Sequence, residues 1–241
     1  RFLATAQIGS TRRKGAIASI IVWNIEQFKY VHTLESHTGK VSSLSFSHDE
    51  RFLASTGIDG TFCVWDMETG SLAGGQKLDK PAQFATFGKK LDDFNPKRPK
   101  YYLILGNENN VRHVQWNYDV KTMQFVFIHE PFKMPGRIQG FKRVYSDACV
   151  DNSNTWCYVG TMAGEVIVFH IPTIMFRTSI QANSHGILSM CCSPNGETIF
   201  TGGGDGKVKK MFGLNQQWQM ASEIQLNGKI TSMALTSDAA N

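Results

Sequence analysis

Residues 40–47, KVSSLSFS, alternate apolar and polar side chains, as a half-buried strand does when successive Cβ atoms point to opposite faces. The polar HDE then turns the chain into a second apolar stretch, RFLAST at residues 51–56, and GIDG turns it again into TFCVWD at residues 61–66. A further turn, METG at residues 67–70, leads towards a fourth strand. The pattern predicts a meander of four short antiparallel strands.

The same order recurs along the chain. ILSMCCS, PNGE, TIFTGG, GDG and KVKKMF repeat it near the end, and SDACV, DNSN, TWCYVG, MAG and EVIVFHI before that. A looser copy closes with KGAIASIIVWN (residues 14–24), and another fits GNENNVRHVQW (residues 106–116), where Val114, Gln115 and Trp116 each suit the closing aromatic position. Trp23 and Trp65 are separated by about 42 residues, and Phe169 and Met211, which match Trp65 in register, by the same interval. Four strands per unit, an Asp-Gly turn and a closing Trp-Asp at this period are the signature of a β-propeller blade, which buries its faces only against its neighbours. The predicted fold is all-β, with residues 1–241 forming part of one propeller. A partial blade spans 1–34, complete blades span about 37–80, 81–135, 136–184 and 185–228, and KITSMALT (residues 229–236) opens a further blade over 229–241. An incomplete ring exposes strand edges, and the chain starts at Arg1 rather than Met, so a longer protein is expected.

Composition agrees with a turn-rich globular chain: 41% hydrophobic residues and 22 glycines in 241. No apolar run reaches the roughly 18 residues of a spanning helix, so no membrane role is expected. The five cysteines, Cys63, Cys149, Cys157, Cys191 and Cys192, form no C-x-x-C, which argues against a disulfide framework and a zinc site and for a reducing, cytoplasmic setting. A net charge of +5 favours an acidic partner only mildly.

His37, Ser55, Asp59 and Trp65, with the dipeptide Trp65-Asp66, resemble the WD-repeat family. The resemblance implies that these four form a hydrogen-bonded network inside the blade, and carries the same role to His185, Thr201 and Asp205, although Met211 stands where Trp is expected. A buried imidazole, carboxylate and indole N–H are each costly unless they satisfy one another, so their occurrence together has a physical reason. FLATAQIGSTRRKGAIASIIVWNI, GKVSSLSFSHDERFLASTGIDGTFCVWD, YVGTMAGEVIVF and IQLNGKITSMAL are further similar to the cilia- and flagella-associated WD-repeat proteins of axonemal doublet microtubules. That resemblance implies a longer chain with paired propellers, located in the ciliary or flagellar axoneme, whose partners are tubulin and other axonemal proteins.

Ser55, His37 and Asp59 are a catalytic triad by residue type, but Ser55 falls within a predicted strand and no G-x-S-x-G elbow surrounds it. GGGDGK (residues 202–207) lacks phosphate-loop spacing and precedes a strand, so it reads as a hairpin turn. Cys191 and Cys192 on one strand point to opposite faces, and His113, His129 and His170 show no ligand spacing. No catalytic residue, metal, cofactor or small-molecule substrate is assigned.

Two basic clusters lie outside the repeat. Arg12, Arg13 and Lys14 interrupt the loop between two strands, and Lys89, Lys90, Lys97, Arg98 and Lys100 fall in an insert between Phe87 and Tyr101. Arg12, Arg13, Lys14, Lys97, Arg98 and Lys100 are the candidate partner-binding residues, suited to an acidic protein surface such as tubulin, with a solvated loop as the plain alternative. Nucleic acid is disfavoured, because aromatics for base stacking are not interleaved with the charges. The expected function is a non-catalytic axonemal scaffold; the alternative is a WD-repeat subunit of a ribonucleoprotein or ubiquitin-ligase assembly.

Overall fold

A computed structural model describes residues 1–9, 15–88, 100–136, 142–214 and 217–236. All regular structure among the described residues is β-strand; no helix is long and apolar enough to cross a membrane. The first sheet has three strands, β1 (Phe2–Ala6), β2 (Ile20–Asn24) and β3 (Lys29–Leu34). The second has four: β4 (Val41–Phe46), β5 (Phe52–Gly57), β6 (Thr61–Asp66) and β7 (Leu72–Lys77). The third consists of β8 (Ala82–Phe87), β9 (Lys100–Asn107), β10 (Val111–Asp119) and β11 (Gln124–Pro131). The fourth holds β12 (Tyr145–Val150), β13 (Trp156–Thr161), β14 (Glu165–His170) and β15 (Met175–Gln181); the fifth holds β16 (Ile187–Cys192), β17 (Thr198–Gly203), β18 (Lys207–Leu214) and β19 (Gln217–Gln225). Within every sheet the strands are neighbours in the order in which the chain makes them. The architecture is an antiparallel all-β propeller.

Two compact units divide the chain, with their boundary inside the third sheet: residues 1–87, 91–105 and 115–128 form one, and 88–90, 106–114 and 129–241 the other. Burial follows a strand's place in its sheet. Central β5, FLASTG, is buried at all six positions, whereas terminal β15 alternates exposed and half-buried residues. In the first unit Ile20, Val22 and Leu34 pack with Leu53, Cys63, Trp65 and Met67. Beside them an aromatic cluster centres on Trp116, whose ring lies 4.1 Å from Phe125 and 4.6 Å from Phe52, centroid to centroid. In the second unit Val166, Val168, Ile187, Met190, Ile199 and Met211 form the equivalent core.

First strands of successive sheets are clasped side chain to backbone. The Ala85 N–H donates to Ser43 Oγ (3.3 Å) and the Phe87 N–H to Ser45 Oγ (3.1 Å), joining β4 to β8. The Met190 N–H donates to Asp147 Oδ2 at 2.8 Å, joining β12 to β16, and the Met233 N–H donates to Ser189 Oγ at 2.9 Å. Asp147 differs from the serines in carrying a charge. Burial pushes its pKa up to about 6, although the N–H groups of Met190 and Ala148 oppose the rise. The folded chain therefore holds this proton at a pH where the unfolded chain has released it, and Asp147 destabilises the fold increasingly as pH rises from about 4 to about 6. Asp147→Asn is expected to raise stability at pH 7 by about 1–3 kcal/mol and to lose that advantage by pH 4, measured by urea unfolding at both values.

The hairpin linking the last two strands of a sheet requires one residue in left-handed backbone. It is Phe28 (φ 51°), Gly70 (φ 69°), Met123 (φ 56°) and Ile174 (φ 53°) in the first four sheets. Counting back from these residues to the strand end gives Trp23, Trp65, Tyr118 and Phe169 as the closing aromatics. The aromatic position of the third sheet is thus Tyr118, rather than Val114, Gln115 or Trp116. Trp116 drew attention by residue type, but it points into the aromatic cluster. A second expectation is also corrected: KITSMALT (residues 229–236) forms no strand. The Ile230 N–H meets Gly203 O at 3.1 Å and Met233 meets Ser189, but no ladder partner for this stretch exists among the described residues.

Candidate functional site

In the second sheet the Asp59-Gly60 turn, with Gly60 at φ 75°, brings Asp59 back beneath the start of β4. Its carboxylate accepts the Thr38 N–H (2.7 Å) and the Thr61 N–H (2.9 Å), and both its oxygens lie 3.3 Å from His37 Nδ1. His37 Nε2 lies 2.8 Å from Ser55 Oγ, and Trp65 Nε1 donates to the same Oγ at 2.9 Å. A carboxylate only accepts, so Nδ1 carries a hydrogen towards Asp59, and the Ser55 oxygen receives the indole N–H. Burial raises the Asp59 pKa, but the Thr61 and Thr38 N–H groups and His37 outweigh this and hold it below the ordinary value.

The order serine, histidine, aspartate is that of a hydrolytic triad, but the surroundings differ. Ser55 and His37 are fully buried, and the Ser55 oxygen is occupied by the indole. No substrate atom reaches it in this arrangement. The contacts instead tie β5 and β6 to the Asp59-Gly60 turn and to the segment that leads into β4 at the same end of the sheet.

The fifth sheet makes the same connection with other residues. Thr201 Oγ1 donates to Asn183 Oδ1 (2.8 Å), Asn183 Nδ2 donates to Asp205 Oδ1 (3.1 Å), and the Ser184 and Lys207 N–H groups complete the Asp205 shell. Burial raises the Asp205 pKa, but these donors together outweigh it and bring it down to about 2. His185, expected here, is outside the network: it is exposed, with Nδ1 2.9 Å from Ser184 Oγ. The correction has a clear cause. The residue whose successor's N–H meets the aspartate is Asn183, as Ser184 follows it just as Thr38 follows His37, and an amide offers the same acceptor-plus-donor pair as a neutral imidazole. Met211 brings no indole, so Thr201 only donates. The signal for Asn183 is register, whereas residue type alone points to His185.

Of the basic candidates, Lys100 is exposed at the start of β9, whereas Arg12, Arg13, Lys14, Lys97 and Arg98 lie outside the described residues. All five cysteines are free thiols; burial pushes Cys63 and Cys191 up to about 11, so neither is a thiolate at neutral pH.

Comparison with known proteins adds to this geometry. The family described as WD domain, G-beta repeat, matches residues 28–66 and 176–210. Cilia- and flagella-associated protein 52 of Chlamydomonas reinhardtii is 30% identical over 241 residues, covering 98% of this chain and 35% of that protein. The Bos taurus protein of the same name is 26% identical over 239 residues, covering 94% and 35%. The chain thus spans about a third of the length of these relatives. Among solved structures, the Myceliophteria thermophila Cps50 (Swd1) β-propeller domain superposes with a TM-score of 0.66 at 16% identity, covering 93% of this chain and 75% of that one.

Proposed function

Since the chain belongs to the WD-repeat β-propellers, we propose that it is a non-catalytic scaffold of the ciliary or flagellar axoneme that binds tubulin and neighbouring proteins of the doublet microtubules. One observation carries the reading: 30% identity to a cilia- and flagella-associated protein extends over 98% of the chain, well beyond the repeat motifs that propellers share. The burial of Ser55 supports a structural role for the one triad-like set of side chains. The basic clusters remain the surface offered to an acidic partner, and with a net charge of +5 their attraction to the acidic surface of tubulin falls with salt.

The test is localisation of the tagged full-length protein in ciliated cells, together with cosedimentation with purified doublet microtubules. Axonemal staining and salt-sensitive pelleting are expected; a nuclear or ribosome-bound pool with no pelleting overturns the proposal. Arg12→Glu with Arg13→Glu is expected to weaken pelleting while shifting stability by no more than about 0.5 kcal/mol, because loop charges seldom contribute to folding. Unchanged pelleting assigns that cluster to solvent.

A further inference from the structure

Asn-Gly occurs twice in the chain, as Asn195-Gly196 and as Asn227-Gly228. The pair is prone to lose its side-chain amide, because glycine has no Cβ to shield its own nitrogen and leaves the backbone free to turn that nitrogen towards Cγ of the asparagine. The fold treats the two copies differently.

Asn195-Gly196 is pinned. Asn195 Oδ1 accepts from Ser193 Oγ (2.6 Å) and from the Glu197 N–H (3.1 Å), and its Nδ2 donates to Glu197 Oε2 at 2.9 Å. The nitrogen that would attack is engaged as well: the Gly196 N–H donates to Ser193 O at 2.9 Å. Gly196 O accepts from the Tyr158 hydroxyl at 2.6 Å, and a Cβ on this buried glycine would stand 2.9 Å from Asp151.

Asn227-Gly228, between β19 and residues 229–236, has none of these restraints. Both residues are exposed, Gly228 stands at φ 114°, and a Cβ built on it would meet nothing within 4 Å. No hydrogen bond holds the Asn227 amide or the Gly228 N–H among the described residues. The stretch that follows is held: the Ile230 N–H donates to Gly203 O at 3.1 Å and the Met233 N–H to Ser189 Oγ at 2.9 Å. A side chain on Gly202 would run into Ile230, so this stretch rests directly on β17.

We propose that Asn227 is a site of spontaneous deamidation and isoaspartate formation, and that the change releases residues 229–236 from the fifth sheet. The Gly228 nitrogen attacks Asn227 Cγ; the new N–C bond forms, the Cγ–Nδ2 bond breaks, and the amide nitrogen leaves as ammonia with the proton that Gly228 gives up. Water then opens the cyclic imide at either carbonyl, giving aspartate or isoaspartate. Both products place a negative charge two residues before Lys229, and isoaspartate also adds a methylene to the main chain ahead of Ile230. That lengthening carries the Ile230 and Met233 donors away from Gly203 and Ser189. The inference needs only the folded chain and does not rest on the axonemal reading.

The test is peptide mapping by mass spectrometry of the protein kept at physiological temperature and mildly alkaline pH, once folded and once in urea. In the folded protein Asn227 is expected to convert at least about tenfold faster than Asn195, whose amide must first break its hydrogen bonds. In urea the two rates are expected to converge. Equal rates in the folded protein overturn the assignment, and so does a ratio that urea leaves intact, because the difference then lies in the flanking residues rather than in the fold. Amide hydrogen exchange of the converted protein is expected to show protection lost at Ile230 and Met233 and kept in β16 to β18. Asn227→Gln, whose longer side chain closes a ring far more slowly, is expected to keep that protection through the same incubation. Unchanged protection at Ile230 and Met233 after full conversion overturns the release.

Discussion

Trp65→Ala is expected to lower the unfolding free energy by about 3–5 kcal/mol, among the largest effects of any single substitution in this chain. Trp65 is 3% exposed and packs among Val22, Leu34, Leu53 and Cys63, so truncation leaves a cavity between the first two sheets. It also takes a donor from Ser55, which remains buried with His37 and Asp59 arranged around it. Trp65→Phe separates the two contributions: most of the apolar contact survives while the indole N–H is lost, and a cost of about 1–2 kcal/mol is expected from the hydrogen bond. Urea unfolding midpoints measure both. A small loss in the alanine variant contradicts the placement of Trp65 at the centre of this contact set.

Trp116→Ala is expected to cost a similar amount, about 3–5 kcal/mol, for a different reason. Trp116 is fully buried against Phe52, Tyr101, Phe125 and Phe127, with no network to support. Its indole N–H lies under Gly74 and meets no acceptor among the described residues. Trp116→Phe therefore removes a buried donor that nothing satisfies, and is expected to cost less than about 1 kcal/mol despite the lost area. The contrast between the two Trp→Phe variants is the decisive comparison. Equal losses would mean that the hydrogen bond at Trp65 contributes nothing beyond packing.

These two tryptophans also show what the sequence made legible. Strand alternation, Asp-Gly turns and the period located the sheets, because each follows from backbone geometry and local residue type. The four residues His37, Ser55, Asp59 and Trp65 were recognisable as a set for the same reason, each being a polar group that burial would penalise alone. Residue type misled wherever a different side chain could do the same work. Asn183 replaces the imidazole expected at His185, and Tyr118 replaces the indole expected at Trp116; both become visible only when the contacts of the turns fix the register. The close packing of Gly74 on Phe127 was not legible at all, since the two residues belong to different sheets and lie far apart in the chain.

That every sheet is made of strands consecutive in the chain has a consequence for how the protein comes apart. Most contacts within a sheet are local in sequence, so each meander can open and re-form with little loop-closure entropy, while the clasps at Ser43, Asp147 and Ser189 are few. Amide hydrogen exchange should then divide by sheet, with protection rising and falling in blocks of about 40 residues rather than falling smoothly towards the chain ends. The terminal strands β7, β11, β15 and β19 form the fast-exchanging edge of their blocks. A substitution in one core loosens its own block and its neighbour first, and the more distant sheets keep their protection until the chain unfolds as a whole.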